Sequence, residues 1–158
     1  MDAHEKINRV YNTAKKIPIN DSSKIVLISD CHRGDASWSD DFSKNQNIYF
    51  YALTHYYNGN YTYIELGDGD ELWENKHMSQ IKAAHTDVFW LLSLFYSEGR
   101  FFSLYGNHDI VKKNKRFVYD NLRLQTNEVL KTGKPLNISL FFMILFEFWF
   151  EKQIFAKC

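Results

Sequence analysis

The amino-acid sequence predicts an α/β fold, in which a mostly parallel sheet is flanked by helices. Three short apolar runs typical of strands alternate with longer segments of helical periodicity along the 158 residues. This alternation favours parallel strands joined by right-handed crossovers. A cluster of polar, chemically reactive side chains follows each strand. Since ligands of open α/β sheets bind beyond the carboxyl ends of the strands, these clusters are candidate functional residues.

The predicted elements alternate from the start of the chain. Residues 4–17 are predicted to be helical, because apolar side chains recur at helical spacing and Pro18 stops the run. The run KIVLIS at 24–29 is β-branched and almost wholly apolar, which is typical of a strand buried on both faces. The order continues with helix 43–57, strand 61–67, helix 77–97, strand 100–106 and a helix that begins near Ile110.

Length and composition limit the number of domains and the partners. With 45% apolar and 24% charged residues, the chain 1–158 suits one packed domain. Zero formal net charge gives no electrostatic reason to expect nucleic acid as a partner. The first residues lack an apolar signal segment, and the two cysteines suit a reducing compartment, so we expect a cytoplasmic protein. A short basic stripe is predicted to be a solvated helix face, and it consists of Lys112, Lys113, Lys115 and Arg116.

Three polar clusters lie at the predicted strand ends. They are Asp30-Cys31-His32, Gly67-Asp68-Gly69-Asp70-Glu71 and Gly106-Asn107-His108-Asp109. Each alone is a weak signal, because Asp is common after a strand and a lone His near a turn is more often structural. Three clusters at one edge of one sheet indicate a functional site. Their carboxylate, imidazole and amide donors suit divalent cations of hard or borderline character, whereas structural zinc would need a thiolate cluster.

The spacing of these donors predicts a pair of metal ions. Asp30 and His32 lie two residues apart, so in extended backbone their side chains share one side and can bind one ion. Asp68 has two carboxylate oxygens and can bridge to a second ion, to which Asn107 can offer a neutral oxygen. Two ions about 3.5–4 Å apart stabilise an in-line phosphoryl displacement and lower the pKa of a bridging water.

His108 is the predicted catalytic residue. Gly with Asn or Asp already satisfies a turn, so the histidine in Gly-Asn-His-Asp needs another reason. Held by Asp109, the imidazole can donate a proton to a leaving oxygen or stabilise charged phosphoryl oxygens.

The motifs D-x-H, G-D-x-x-E and G-N-H-D, in this order, resemble those of the calcineurin-like metallophosphoesterases over about residues 24–125. The form GDGDELWEN followed by YGNHD is most similar to the bacterial branch that includes UDP-2,3-diacylglucosamine diphosphatases. The resemblance implies a hydrolase of small-molecule phosphate mono-, di- or pyrophosphate esters, with two divalent ions that are usually manganese, iron or zinc. It implies metal binding by Asp30, His32, Asp68 and Asn107, and catalytic assistance by His108 and Asp109.

Arg33 is the predicted substrate-binding residue, because its guanidinium could reach a substrate phosphate. A surface ion pair with Asp35 is the alternative. Substrate specificity is expected in loops and cap segments such as 33–42 and 71–77, whose chemistry is generic and does not identify the substrate.

The chain departs from the family pattern after His108. The family continues with a further His and a Gly-His-x-His block that complete both metal shells, whereas this chain has no later histidine. The remaining histidines are expected at surface or core positions, and they are His4, His55, His77 and His85. We therefore expect the first half of a metallophosphoesterase β-sandwich α/β fold, apparently truncated. Residues 1–158 alone should have little or no phosphatase activity and marginal solubility.

The segment 138–158 is an atypical apolar tail. Its run ISLFFMILFEFWF, residues 138–150, shows neither strand alternation nor a polar helical face, and it is too short to span a bilayer. Three explanations stay open for it: a buried strand, a membrane-adhering tail, or the product of a frameshift or truncated reading frame.

Two other functions compete with the phosphoesterase. A non-catalytic remnant that binds metal or phosphate would keep the scaffold without turnover, and the missing histidines favour it for the isolated chain. A nuclease is the third possibility, since the family resemblance includes such members, but zero net charge argues against it.

Overall fold

The computed structural model describes residues 2–14, 16–114 and 116–117. It is an α/β structure with one parallel sheet in the order β1-β2-β3 and helices beside it, so the predicted fold class is confirmed at this level. The strands are β1 (Ile25–Ile28), β2 (Thr62–Leu66) and β3 (Phe101–Leu104). The helices are α1 (Ala3–Thr13), α2 (Gln46–Asn58), α3 (Met78–Ala84) and α4 (Thr86–Ser97), with 3₁₀ turns at Ser43–Asn45 and Ile110–Lys113.

The strand register brings the three carboxyl ends to one edge of the sheet. Ile28 of β1 pairs with Glu65 of β2, and Leu66 of β2 pairs with Leu104 of β3. All three strands therefore end within about one residue of each other. The polar loops that follow them lie side by side, as the sequence predicts for a parallel sheet.

The expectation that β1 is buried on both faces is wrong. Leu27 is 57% exposed, and its neighbours Val26 and Ile28 are only partly buried. Within the described ranges, β1 pairs with β2 alone, so its other edge carries no strand there. An unbroken apolar run shows that both sides of a strand tolerate burial, but it does not show that something covers both.

The main hydrophobic core lies where α2 and α4 pack against the sheet. Leu53 of α2, Val88 and Phe95 of α4 and Tyr63 of β2 are all fully buried within one cluster. Burying each such aliphatic or aromatic side chain contributes about 1.5–3 kcal/mol. This packing holds the sheet rigid beneath the loops at its carboxyl edge.

The predicted helix 77–97 is in fact two helices that meet at His85. This residue has φ −124° and ψ 44°, so it lies outside helical geometry. Its ring is fully buried, with Nε2 2.7 Å from Asp40 Oδ2 and Nδ1 2.6 Å from Gln46 Oε1. Apolar spacing continues across the break, which is why periodicity alone predicts one helix. Through these two contacts, His85 attaches α3 and α4 to the 33–42 loop and to the start of α2.

Two other element boundaries differ from prediction. α1 ends at Thr13, and the chain is already extended at Ala14, before Pro18 is reached. The helix predicted to begin near Ile110 is a 3₁₀ turn over Ile110–Lys113, and helical geometry is found again at residues 116–117. None of the helices in the described ranges is long and apolar enough to cross a bilayer, and the tail at 138–158 lies outside these ranges.

Five buried charged side chains connect the ends of the three strands. They are Arg33 after β1, Glu65 and Asp70 in and after β2, and Asp109 and Lys112 after β3. The Arg33 guanidinium is 2.7 Å from both Glu65 Oε1 and Asp70 Oδ1. Lys112 Nζ is 2.6 Å from Asp70 Oδ2 and 2.7 Å from Asp109 Oδ2. Asp70 therefore joins the two cations into one network.

Mutual attraction favours the charged forms of Asp70, Lys112 and Arg33 in spite of their burial. Burial alone would raise the pKa of the Asp70 carboxyl, but Arg33 and Lys112 hold it well below its ordinary value. Burial alone would lower the pKa of Lys112, whereas Asp70 and Asp109 raise it. Loss of one partner would leave an uncompensated buried charge, which is costly.

Part of the basic stripe is therefore not a solvated helix face. Lys112 is only 5% exposed, whereas Lys113 beside it is exposed. The sequence shows a run of cations but not which of them turns inward towards carboxylates from another loop.

We predict that Lys112→Met will lower the free energy of unfolding by about 3–5 kcal/mol, because it leaves Asp70 and Asp109 with one buried cation fewer. Lys113→Met is the matched control and should change stability by less than about 0.5 kcal/mol, since its side chain is exposed. Urea unfolding followed by circular dichroism measures both. Equal losses in the two variants would contradict the network.

The same network predicts how stability depends on acid. The folded pKa of Asp70 lies below its ordinary value of 3.8, so its contribution is complete above about pH 4. That contribution is lost as pH falls through the folded pKa. Urea unfolding between pH 2.5 and 6 should show this loss in the unaltered protein and a shallower slope in Asp70→Asn. Asp21→Asn, at an exposed turn, should keep the original slope.

Candidate metal centre

The loop after β1 runs beside the loop after β2 and continues their pairing. The Asp30 N–H donates to Gly67 O at 3.2 Å, and the His32 N–H donates to Asp68 O at 2.9 Å. The Arg33 N–H then donates to the next carbonyl along, at 3.1 Å. These backbone bonds place three predicted metal ligands next to one another, although they are up to 38 residues apart in sequence.

All three of those ligands have left-handed backbone geometry. The φ angles are 55° at Asp30, 49° at His32 and 50° at Asp68. The expectation that Asp30 and His32 lie in extended backbone is therefore wrong. The two side chains nevertheless converge, as that expectation required. Asp and His tolerate this region better than most residues, but it is rarely populated and its presence at three ligands marks a constrained site.

Asp30, His32 and Asp68 form the first donor group. One carboxylate oxygen or ring nitrogen from each lies within 4.8 Å of the others. The Asp30 side chain is largely exposed, whereas Asp68 is only 8% exposed. Two oxygens and one imidazole nitrogen form a donor set that suits manganese, iron or zinc. The structure thus brings together three of the four predicted metal ligands.

Glu71 is the residue at the centre of the site that sequence reasoning did not assign. Its Oε2 accepts from Nδ1 of both His32, at 3.0 Å, and His108, at 2.6 Å. Its Oε1 accepts from the backbone of its own turn, including the Trp73 N–H at 3.1 Å. The carboxylate is therefore fixed on both sides. With Nδ1 engaged, Nε2 is the nitrogen that each imidazole keeps for other partners, and His32 Nε2 lies 4.0 Å from Asp30 Oδ1. A carboxylate orients a ligating histidine in this way.

The two buried carboxylates of the site differ in their electrostatics. Burial raises the pKa of Asp68, and the hydrogen bond from the His108 N–H at 2.8 Å offsets this only in part. Burial would also raise the pKa of Glu71, but hydrogen bonds and charge from His32 and His108 lower it overall. The neighbours of Asp68 therefore stabilise its charged form less than the neighbours of Glu71 do. Glu71 already has its partners.

His108 lies beside Glu71 and His32 in this arrangement, and its predicted role as the catalytic residue stays a prediction. Its ring is 4.5 Å from the His32 ring, centroid to centroid, in an edge-on arrangement. The indole of Trp73 stacks on the His108 ring at 4.1 Å, centroid to centroid, and is itself 58% exposed. A stacked ring and the hydrogen bond to Glu71 together leave the imidazole little freedom to rotate.

The predicted role of Asp109 is wrong. Its carboxylate is fully buried and accepts from the Gly106 N–H at 2.7 Å and the Gly69 N–H at 3.2 Å, besides pairing with Lys112. Glu71, and not Asp109, orients His108. Adjacency in sequence suggested the pair, but the turn directs the two side chains to different partners. Asp109 instead joins the loops after β2 and β3.

Both predictions for Arg33 are corrected as well. The residue is 1% exposed, and its guanidinium is engaged by Glu65 and Asp70, so it is not available to a substrate phosphate. A surface ion pair with Asp35 is excluded on the same ground. The sequence does not indicate that Glu65 is buried and paired with Arg33. A single acidic residue within a strand pattern is normally expected to face solvent unless its partner is known.

Gly106 and Asn107 complete the third loop. A Cβ at Gly106 would collide with the carboxylate of Asp68, so glycine is required by close approach, not by an unusual backbone angle. Asn107 follows it and is partly buried in the same turn, between Gly106 and His108. Its predicted role as a ligand of a second ion stays a prediction.

Cys31 lies between two predicted ligands but does not resemble a thiolate ligand. Burial raises the pKa of its thiol to about 12, in spite of the positive charge of Arg33. The side chain is thus a neutral, mildly apolar group near neutral pH.

Comparisons of the chain with family models, with curated proteins and with solved structures find no match in any of the three. The resemblance to calcineurin-like metallophosphoesterases therefore rests on the three motifs, read together with the positions of their residues in the structure.

Proposed function

We propose that this protein is a metal-dependent phosphoesterase of the calcineurin-like type, which hydrolyses a small-molecule phosphate ester at a centre for two divalent ions. The observation that carries the proposal is the convergence of Asp30, His32 and Asp68, with donor atoms within 4.8 Å of one another, beside an imidazole fixed by Glu71. Three separate strand ends contribute to this arrangement, which a chance cluster of surface acids would not require.

The donors fit a pair of divalent ions, manganese first and iron or zinc as alternatives. Asp30, His32 and Asp68 would hold one ion, and Asp68 with Asn107 would hold the other. When bound, such ions supply charge stabilisation of phosphoryl oxygens and a water that loses its proton near neutral pH.

The protein's own residues then have separable tasks. Glu71 holds Nδ1 of His108, so Nε2 is the nitrogen of that ring that can donate to a substrate. In its protonated form the ring can donate from Nε2 to the alcohol oxygen as the bond from phosphorus to that oxygen breaks. The attacking water supplies the oxygen that replaces it, and its proton is released to solvent. The stacked Trp73 shields one face of the imidazole from water.

A non-catalytic metal- or phosphate-binding protein is the second candidate. Among the described residues, the proposed second ion has two assigned ligands, Asp68 and Asn107, whereas the first has three. A second ion held this weakly would favour binding without turnover, because the rate gain of a two-metal centre comes from charge held in place.

We predict that Asp68→Asn will abolish manganese binding, since it removes the charge from the proposed bridging ligand but keeps its shape. The hydrogen bond from the His108 N–H can persist to the amide oxygen. Thermal unfolding without metal should therefore be unchanged or shifted upwards, because a buried charge is lost. Manganese at 100 times its Kd should stabilise the unaltered protein by about 2.7 kcal/mol and the variant not at all.

Asp21→Asn serves as the control for this experiment, since Asp21 lies in an exposed turn at the opposite end of β1. Calorimetric titration with manganese should give the same affinity for this control as for the unaltered protein. Unchanged manganese affinity in Asp68→Asn would refute the bridging role.

We predict that the substitution matching His108→Ala, made in a full-length relative that has the complete set of metal ligands, will lower turnover of an aryl phosphate by about 10²–10⁴-fold, the usual loss for a general acid, with manganese content retained. In this chain, His108→Ala should likewise retain manganese binding, and His55→Ala, on the exposed side of α2, is the control for that measurement. Loss of metal in His108→Ala would make this residue a ligand. Normal manganese binding without any turnover in the unaltered chain would favour the non-catalytic candidate.

A further inference from the structure

A cavity of about 510 Å³ opens beside the candidate metal centre. It lies between the loop after β1 and the segment that leads into α2. Its size falls within the range of small-molecule binding sites. Asp30 and His32 line this cavity and also belong to the first donor group, so the two spaces are continuous.

The walls of the cavity away from the donors are mainly apolar. Phe42, Tyr49, Cys31 and Ile48 provide them. Phe42 is 5% exposed and packs edge-on against Tyr49 at 5.0 Å and His85 at 5.1 Å, which makes it a rigid wall. Ile48 is 73% exposed, so its apolar side chain faces solvent unless a ligand covers it.

The charged groups of the cavity are unfavourable to anions. Its lining includes the carboxylates of Asp30 and Asp41, and within the described residues it contains no lysine or arginine. Asn45 also lines it, and its side chain makes no capping hydrogen bond to α2. That amide can therefore bond a neutral hydroxyl or carbonyl, whereas a second anionic group would face two carboxylates.

We propose that this cavity binds the organic group of the substrate, and that the substrate class is a phosphate ester of an apolar or aromatic alcohol without a further anionic group. The proposal rests on the proposed function, since the phosphate is taken to lie at the metal donors. A phosphoryl group beside Asp30 and His32 places its ester substituent at the mouth of the cavity. There the substituent covers Ile48 and contacts Phe42.

Phosphonates that cannot be hydrolysed test this without turnover. With saturating manganese, calorimetry should show phenylphosphonate binding at least about tenfold more tightly than methylphosphonate, because the ring buries apolar surface. 4-Phosphonobenzoate, which adds a carboxylate to the ring, should bind more weakly than phenylphosphonate.

Two substitutions in α2 test whether the preference for the phenyl group arises at the cavity. Ile48→Asn should remove the preference for the phenyl group, measured as the ratio of the two phosphonate affinities, without adding a charge to the cavity. Tyr51→Asn is the matched control, because Tyr51 is 76% exposed on the same helix and does not line the cavity. It should keep the preference.

The outcomes separate this inference from the proposed function. Equal affinity for phenyl- and methylphosphonate, or loss of the preference in both variants alike, would overturn the cavity proposal and leave the metal centre standing. Failure of every phosphonate to bind, while manganese binds normally, would overturn the proposed function and the substrate class with it.

Discussion

The guanidinium of Arg33 lies between Glu65 and Asp70, out of contact with water, and the candidate site depends on this contact. It attaches the loop after β1 to the end of β2, and through Asp70 it is linked to Lys112 in the loop after β3. Every proposed ligand lies within three residues of a member of this network. Because a buried charge is tolerated only with its partners in place, the loops cannot separate without a large loss of stability.

Glycine and backbone geometry add a second constraint to this electrostatic one. Gly69 stands where a Cβ would collide with Glu65, and Gly106 stands where it would collide with Asp68. The loops can therefore approach closely enough for Asp109 to accept N–H bonds from both glycines. The charges hold the loops together, and the missing side chains let them meet.

Much of this arrangement could be predicted from the sequence, and the remainder could not, for identifiable reasons. The alternation of strands with helices predicted a parallel sheet, and the carboxyl ends of parallel strands meet at one edge. These two points were enough to predict that Asp30, His32, Asp68 and His108 lie together. The partners of the buried charges could not be predicted from the sequence. Glu71, for example, binds imidazoles 37 and 39 residues away, and no local sequence pattern indicates that contact. The nearest signal was its position three residues after Asp68 in the G-D-x-x-E motif. His85 broke a helix for a similar reason, because its partners lie in another segment.

The left-handed backbone at Asp30, His32 and Asp68 has a consequence for the timing of events. Each such residue costs about 1 kcal/mol or more, and that cost is met when the chain folds, through the surrounding contacts. An arriving ion would then find its ligands already gathered and would have no loop ordering to drive. Its rate of capture should be governed by how fast it sheds its own hydration water, with protein rearrangement playing little part.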